Sequence, residues 1–233
     1  MYWIIFIAIA CLLFLIWASA DIASGIYLKA ICKGNTTDKI VSLTFDDGPD
    51  SDMTPRVLDV LKQNDITATF FLIGNRVKTN PEIVSRMYKE GHLVANHTYS
   101  HLSTFPLSSS SRVKQEIENT NEAIYSVVGK VPHLFRPPFG VTNPIIGKVV
   151  KQKGLTTIGW SIRSLDTISK RSRNEVCEKV VGALHPGAII LLHDVCQDTD
   201  ILLKQLIPMI LEQGYRIVPL NKLLSIDCYE NEN

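Results

Sequence analysis

Apolar residues fall into two kinds of run along this 233-residue chain. The first is continuous. From Tyr2 to Ala20 no residue carries a charge, and Asp21 ends the run. About 20 apolar residues span the ~30 Å hydrocarbon core of a bilayer as one helix. The lack of any polar face argues against a helix buried in a soluble core. The second kind begins at Ile40, where short β-branched runs alternate with amphipathic stretches. The runs at 40–43, 69–73, 93–96, 134–136, 156–160, 188–192 and 216–219 read as seven strands. Between them, Val57, Leu58, Val60 and Leu61 mark one helix face, within 52–63. Val113, Ile117, Thr120, Ile124 and Val127 mark another at steps of three and four. That helix is preceded by a serine run, 108–111, and ended by Gly129. Asn80-Pro81 reads as an N-cap followed by proline at the first helical position. Further helices are expected over 143–153 and 201–213, and Ser172-Arg173-Asn174-Glu175 reads as a capping box opening one more. Repeated strand–helix units imply a parallel sheet and an α/β fold.

Composition adds exclusions. Lys plus Arg number 24 against 23 for Asp plus Glu, a formal charge of +1, which argues against a nucleic-acid partner. The five cysteines, Cys11, Cys32, Cys177, Cys196 and Cys228, contain no C-x-x-C pair, so a thiolate metal site is not expected. An α/β domain of this size buries enough core without disulfides, and plain thiols are expected. No internal repeat is visible.

Chemistry gathers at the strand ends. Thr44-Phe45-Asp46-Asp47-Gly48-Pro49 follows the first strand, and Gly48-Pro49 stops that strand. Two adjacent carboxylates at a turning backbone can both enter one cavity, where they repel unless a cation lies between them. His97-Thr98-Tyr99-Ser100-His101 places two imidazoles four residues apart, a spacing that shares one face of a helical turn. Arg136-Pro137-Pro138-Phe139-Gly140 follows the fourth strand, and His193-Asp194 follows the sixth. Seven strands with every polar cluster at the same end fit a closed or nearly closed barrel.

These ordered motifs resemble those of the polysaccharide deacetylases of the NodB-homology type, carbohydrate esterase family 4. The resemblance runs from about residue 40 to 220 and matches four of five motifs. It implies a distorted seven-stranded (β/α) barrel, here with an N-terminal transmembrane helix. Together with the apolar N-terminal run, it divides the chain into an anchor or signal segment (1–20), a linker (21–38), a deacetylase domain (39–225) and a C-terminal tail (226–233). It implies a hydrolase that removes acetyl groups from an N-acetylglucosamine-containing glycan such as peptidoglycan. An O-acetyl esterase on xylan-type glycans and a non-catalytic glycan-binding relative are the alternatives. Asp47, His97 and His101 would hold a divalent metal, with zinc as the default and cobalt, nickel or iron possible. Asp46 would be the general base, with Arg136 pairing it bidentately. His193 would be the general acid, raised by Asp166. The Phe139 N–H would help bind the oxyanion, and Trp160 and Leu191 would wall the acetyl pocket. One motif departs from the family: after Asp166, Thr167 stands in the place of an aromatic, which bears on specificity. His92, His133 and His185 match no motif and are expected to be structural.

The N-terminal segment has two readings. Ala18-Ser19-Ala20 resembles a cleavage site. The missing basic flank and the length of the apolar run favour an uncleaved anchor, with the enzyme on the extracytoplasmic side. Lys29, Lys33 and Lys39 would by charge prefer the cytoplasm, which leaves orientation open. No oligomeric state is implied.

Overall fold

A computed structural model describes residues 2–230. Met1 and residues 231–233 of the expected tail lie outside the described residues. Helix α1 (Tyr2–Ala20) has a mean hydropathy of 2.6 and is almost wholly exposed. Its last turn touches the rest of the chain: Ala18 is buried, and the Thr142 N–H donates to the Ser19 carbonyl at 2.9 Å. Residues 21–38, expected as a linker, are packed onto the domain. They contain strand β1 (Ala30–Ile31), and the Gly34 N–H donates to the Gly187 carbonyl at 2.8 Å. Gly187 takes a φ of +77°, and a Cβ there would meet the Gly34 carbonyl at 2.3 Å. This contact therefore requires glycine.

The domain proper opens with β2 (Ile40–Asp46), α2 (Met53–Gln63), β3 (Thr69–Leu72) and two helices, α3 (Gly74–Thr79) and α4 (Pro81–Lys89). Next come β4 (Leu93–Asn96), α5 (Ser110–Val128), β5 (Leu134–Phe135) and α6 (Pro144–Gln152). Then β6 (Thr156–Ile158), β7 (Ile162–Arg163), α7 (Arg173–Gly182), β8 (Ile189–His193), α8 (Thr199–Glu212), β9 (Arg216–Ile217) and α9 (Leu220–Leu224) complete it. Ser109 and the Ser172–Glu175 box cap α5 and α7 as expected. Asn80 does not cap α4. Its side chain donates back to the Arg76 carbonyl and to Thr79, because the short helix α3 ends there.

Among the described residues the named strands all pair in parallel, in the order β1-β6-β5-β4-β3-β2-β8-β7, with β9 on the start of β2, and two isolated bridges, Lys33 with Ala188 and Pro132 with Tyr229, are antiparallel. The expected fifth strand is broken: β6 bonds β5, and after three residues β7 bonds β8. One stretch of chain thus serves both flanks of the sheet and brings its ends together, which is the distortion of the barrel.

Strand alternation sets the two faces. Val41, Leu43 and Phe45 of β2 and Ile190 and Leu192 of β8 join the core under the helices. Ser42, Thr44 and Asp46 take the other face, level with Ile189, Leu191 and His193 in the β2–β8 register. Asp46 and His193 are therefore paired by register at the C-terminal rim of neighbouring strands.

Candidate active site

A cavity of about 230 Å³ at this rim is lined by Asp46, Asp47, His97, His101, Phe139, Trp160, Thr167, Leu191 and His193, among others. Asp46 enters it by strand alternation. Asp47 would face away in a regular strand, but its φ of 74° turns it back toward the cavity. His101 and Phe139, also in the lining, take φ 47° and 61°. Thr98 and Leu165, each beside a site residue, take φ 66° and 64°. Left-handed non-glycine residues are costly and concentrate at functional sites. Of the eight among the described residues, these five are at this rim.

The His97–His101 segment is not the helical turn that its spacing suggests; it is an irregular loop. The loop still brings the imidazoles together, with ring centroids 4.9 Å apart. Asp47 Oδ1 lies 3.4 Å from His97 Nε2 and 3.3 Å from His101 Nε2, and is buried with no hydrogen-bond partner among the described residues. Ligand atoms around a tetrahedral ion at ~2.0–2.1 Å are about 3.3 Å apart. A buried, unsatisfied carboxylate oxygen facing two ring nitrogens at that spacing fits a divalent cation. His97 Nδ1 lies 2.8 Å from the Arg136 carbonyl. That contact assigns the proton to Nδ1 and turns the Nε2 lone pair to the cavity. Burial, and then the neighbouring His97, lower the His101 pKa. Both favour the neutral imidazole that ligation requires. Burial disfavours the Asp47 anion, but the His97, His101 and His193 rings hold its carboxyl well below the usual range.

Arg136 is fully buried. Its Nη1 donates to Asp46 Oδ1 at 2.6 Å and to Thr44 Oγ1 at 3.0 Å. Nε donates to the Ile158 carbonyl and Nη2 to the Gly159 carbonyl, while the guanidinium lies 4.0 Å over the Phe71 ring. The pairing with Asp46 is thus through one oxygen, not bidentate, because backbone carbonyls at the β6–β7 break take the other donors. Asp46 Oδ2 stays free for the cavity, 3.7 Å from His97 Nε2. Arg136 also holds both halves of the site, His97 by its carbonyl and Asp46 by its side chain.

His193 Nδ1 lies 2.8 Å from Asp166 Oδ1, and its backbone N–H donates to Asp166 Oδ2 at 2.7 Å. Burial works against the imidazolium, but the Asp166 hydrogen bond and charge, with Asp46 and Asp47, raise the His193 pKa to about 9. Trp160 lies over Gly140, where a Cβ would meet the indole at 2.4 Å. Thr167 is in the lining, in the place of the expected aromatic. His92 lies elsewhere, accepting from the Ala68 N–H, and His185 bonds Ser161. All five cysteines are free.

Some residues that shape the site are not evident from motifs. Glu116 on α5 is buried and accepts from the Tyr99 and Ser100 N–H groups, the Ser100 hydroxyl and Arg112. Asn96 accepts from the Thr98 N–H and donates to the Ile117 carbonyl. Together they clamp the histidine loop onto α5. The signal for Glu116 is a charge within the apolar stripe, three residues after Val113. Asp194, fully buried, accepts from the Thr54 hydroxyl at 2.6 Å, and burial raises its pKa to about 7. A Cβ on Gly48 would lie 2.3 Å from that carboxylate, so glycine is needed beside Asp47. Glu116→Ala leaves two loop N–H groups unpaired. It should weaken metal affinity on the order of 10- to 100-fold, the usual effect of losing an outer-shell partner. Competition with a chromogenic chelator measures this; unchanged affinity would show that the loop holds itself.

Comparison with known proteins is consistent with this geometry. The polysaccharide deacetylase family model matches residues 33–158. The chain is 35% identical over 194 residues to a peptidoglycan-N-acetylmuramic acid deacetylase of Bacillus subtilis, covering 82% of this chain and 73% of that one. A solved peptidoglycan N-acetylglucosamine deacetylase superposes with a TM-score of 0.80 at 32% identity, covering 85% of this chain and 94% of the other. A family 4 acetyl xylan esterase of Clostridium thermocellum, solved with a cobalt ion, superposes with a TM-score of 0.74 at 35% identity, covering 79% and 90%.

Proposed function

Since the chain belongs to the polysaccharide deacetylase family, a family of hydrolases, we propose that it removes N-acetyl groups from peptidoglycan by metal-assisted amide hydrolysis. One observation carries this reading. An Asp-His-His set, an arginine-held carboxylate and a carboxylate-held histidine converge on one cavity.

A divalent ion held by Asp47, His97 and His101, zinc by default, supplies Lewis acidity toward the acetyl carbonyl and lowers the pKa of water. Asp46 takes the proton of the attacking water through Oδ2, while Arg136 fixes Oδ1. The Phe139 N–H donates to the oxygen that becomes negative. Trp160 and Leu191 enclose the acetyl methyl and exclude water. His193 gives its proton to the amine as the C–N bond breaks, yielding acetate and a free amino sugar. The apolar helix α1 suits a membrane anchor for residues 1–20, with the catalytic domain (39–225) facing the wall.

Acetate release from peptidoglycan, N-acetylglucosamine oligomers, chitin and acetyl-xylan tests the substrate. Peptidoglycan should lead. Release from acetyl-xylan alone would replace the reading with an O-acetyl esterase.

The acid assignment has its own test. A general acid works while protonated, so turnover should fall as pH rises through about 9, the His193 value. Asp166→Asn removes the anion that raises it. The alkaline limb should then move down toward ~6.5, the unperturbed histidine value. An unmoved limb at constant metal content would assign the tuning to another group.

A further inference from the structure

Asp166, His193 and Cys196 form a second cluster of metal-ligating side chains, with ligand atoms all within 4.8 Å of one another. Asp166 and Cys196 line a separate cavity of about 540 Å³, together with Ser172, Asp198 and Thr199. His193 lines the catalytic pocket instead, and the two cavities meet at Thr167. The cluster therefore lies in the wall between them and is open to solvent from the larger cavity. We propose that Asp166, His193 and Cys196 bind a second, inhibitory divalent cation, with zinc as the fitting ion.

The donor set decides the class of ion. A carboxylate, an imidazole and a thiolate suit zinc and exclude magnesium, which takes oxygen ligands. The surroundings supply the field: besides burial, the charges of Asp166, Asp47 and Asp194 disfavour a thiolate at Cys196. The same negative charges attract a dication, which reverses that penalty. Binding releases the thiol proton and the proton between His193 Nδ1 and Asp166 to solvent. The hydrogen bond between Nδ1 and Oδ1, 2.8 Å long, opens to the wider separation of two zinc ligands.

The effect on catalysis follows from the nitrogen used. With the ion on Nδ1, His193 keeps only the Nε2 proton of a neutral imidazole. Giving that up would leave imidazolate, so the leaving amine is not protonated. Because the ion enters from the other cavity, it does not compete with glycan. The kcat should fall while KM stays constant.

This regulation rests on His193 being the general acid, but the binding can be read without turnover. The full chain in detergent, carrying one zinc, is titrated with further ZnCl2 against N-acetylglucosamine oligomers. A second equivalent should bind and lower kcat on the order of 10²-fold, the worth of a positioned general acid. MgCl2 should do nothing. Cys196→Ala should keep its turnover, bind one equivalent and resist the excess. Substituting Co2+ should give a thiolate-to-cobalt charge-transfer band at two equivalents in the wild type and none in Cys196→Ala. Inhibition of Cys196→Ala at the same zinc concentrations, or no band in the wild type, overturns the proposal. If no substrate is turned over, the deacetylase reading fails, and the cobalt band still decides whether the site exists.

Discussion

Asp46→Asn should retain its metal and lose turnover on the order of 10²- to 10⁴-fold, the range for removing a general base. The amide keeps an oxygen for Arg136 Nη1, now 2.6 Å from Oδ1, so the metal ligands keep their places. The fully buried guanidinium loses its counter-charge, so this variant should also unfold at a lower temperature than the wild type. Asp47→Asn, one residue away, should behave differently. Its Oδ1 faces both imidazoles with no other partner among the described residues, so losing that anion should weaken metal binding and turnover together. Elemental analysis beside acetate release separates the two variants. Equal loss of metal in both would refute the division of roles between the adjacent carboxylates.

Arg136→Leu should be the most destabilising single change in the site. It leaves the Asp46 carboxylate, 4% exposed, without its counter-charge. It also strips donors from Thr44 and from the Ile158 and Gly159 carbonyls. Removing one partner of a buried ion pair costs about 3–5 kcal/mol. In a chain of this size, that lowers Tm by about 6–20 °C. Much of the cost is the stranded charge. The Asp46→Asn/Arg136→Leu double variant should therefore unfold at a higher temperature than Arg136→Leu alone. Additivity of the two single changes within ~0.5 kcal/mol would mean that the pair is not coupled. Calorimetry of the three variants measures it.

Much of this arrangement is legible in the sequence because parallel strands buried on both faces read as short apolar runs, each followed by polar residues at the same rim. Asp46, Arg136 and His193 follow directly from that pattern. What escapes has a physical reason. β1 and β7 are two residues long, too short for any period, and α3 is six residues with little apolar face. The break between β6 and β7 depends on neighbours far along the chain, and so does the monodentate grip of Arg136. The histidine loop has helical spacing without being helical, because Thr98 and His101 adopt left-handed backbone and Glu116 holds the N–H groups between them. Spacing alone carries no trace of a clamp from another helix. The Thr167 departure, by contrast, is visible in sequence, and the structure places that residue where the catalytic cavity meets the larger one.

The most direct test of the central claim joins metal content to acetate release in one preparation. Wild-type chain and His101→Ala are stripped with chelator, reloaded with zinc, analysed for bound metal and assayed on peptidoglycan. The wild type should lose activity on stripping, regain it on loading and hold tight zinc, whereas His101→Ala should neither retain zinc nor release acetate. Full zinc occupancy in His101→Ala, or undiminished acetate release from the stripped wild type, would contradict an Asp47–His97–His101 metal centre as the seat of hydrolysis.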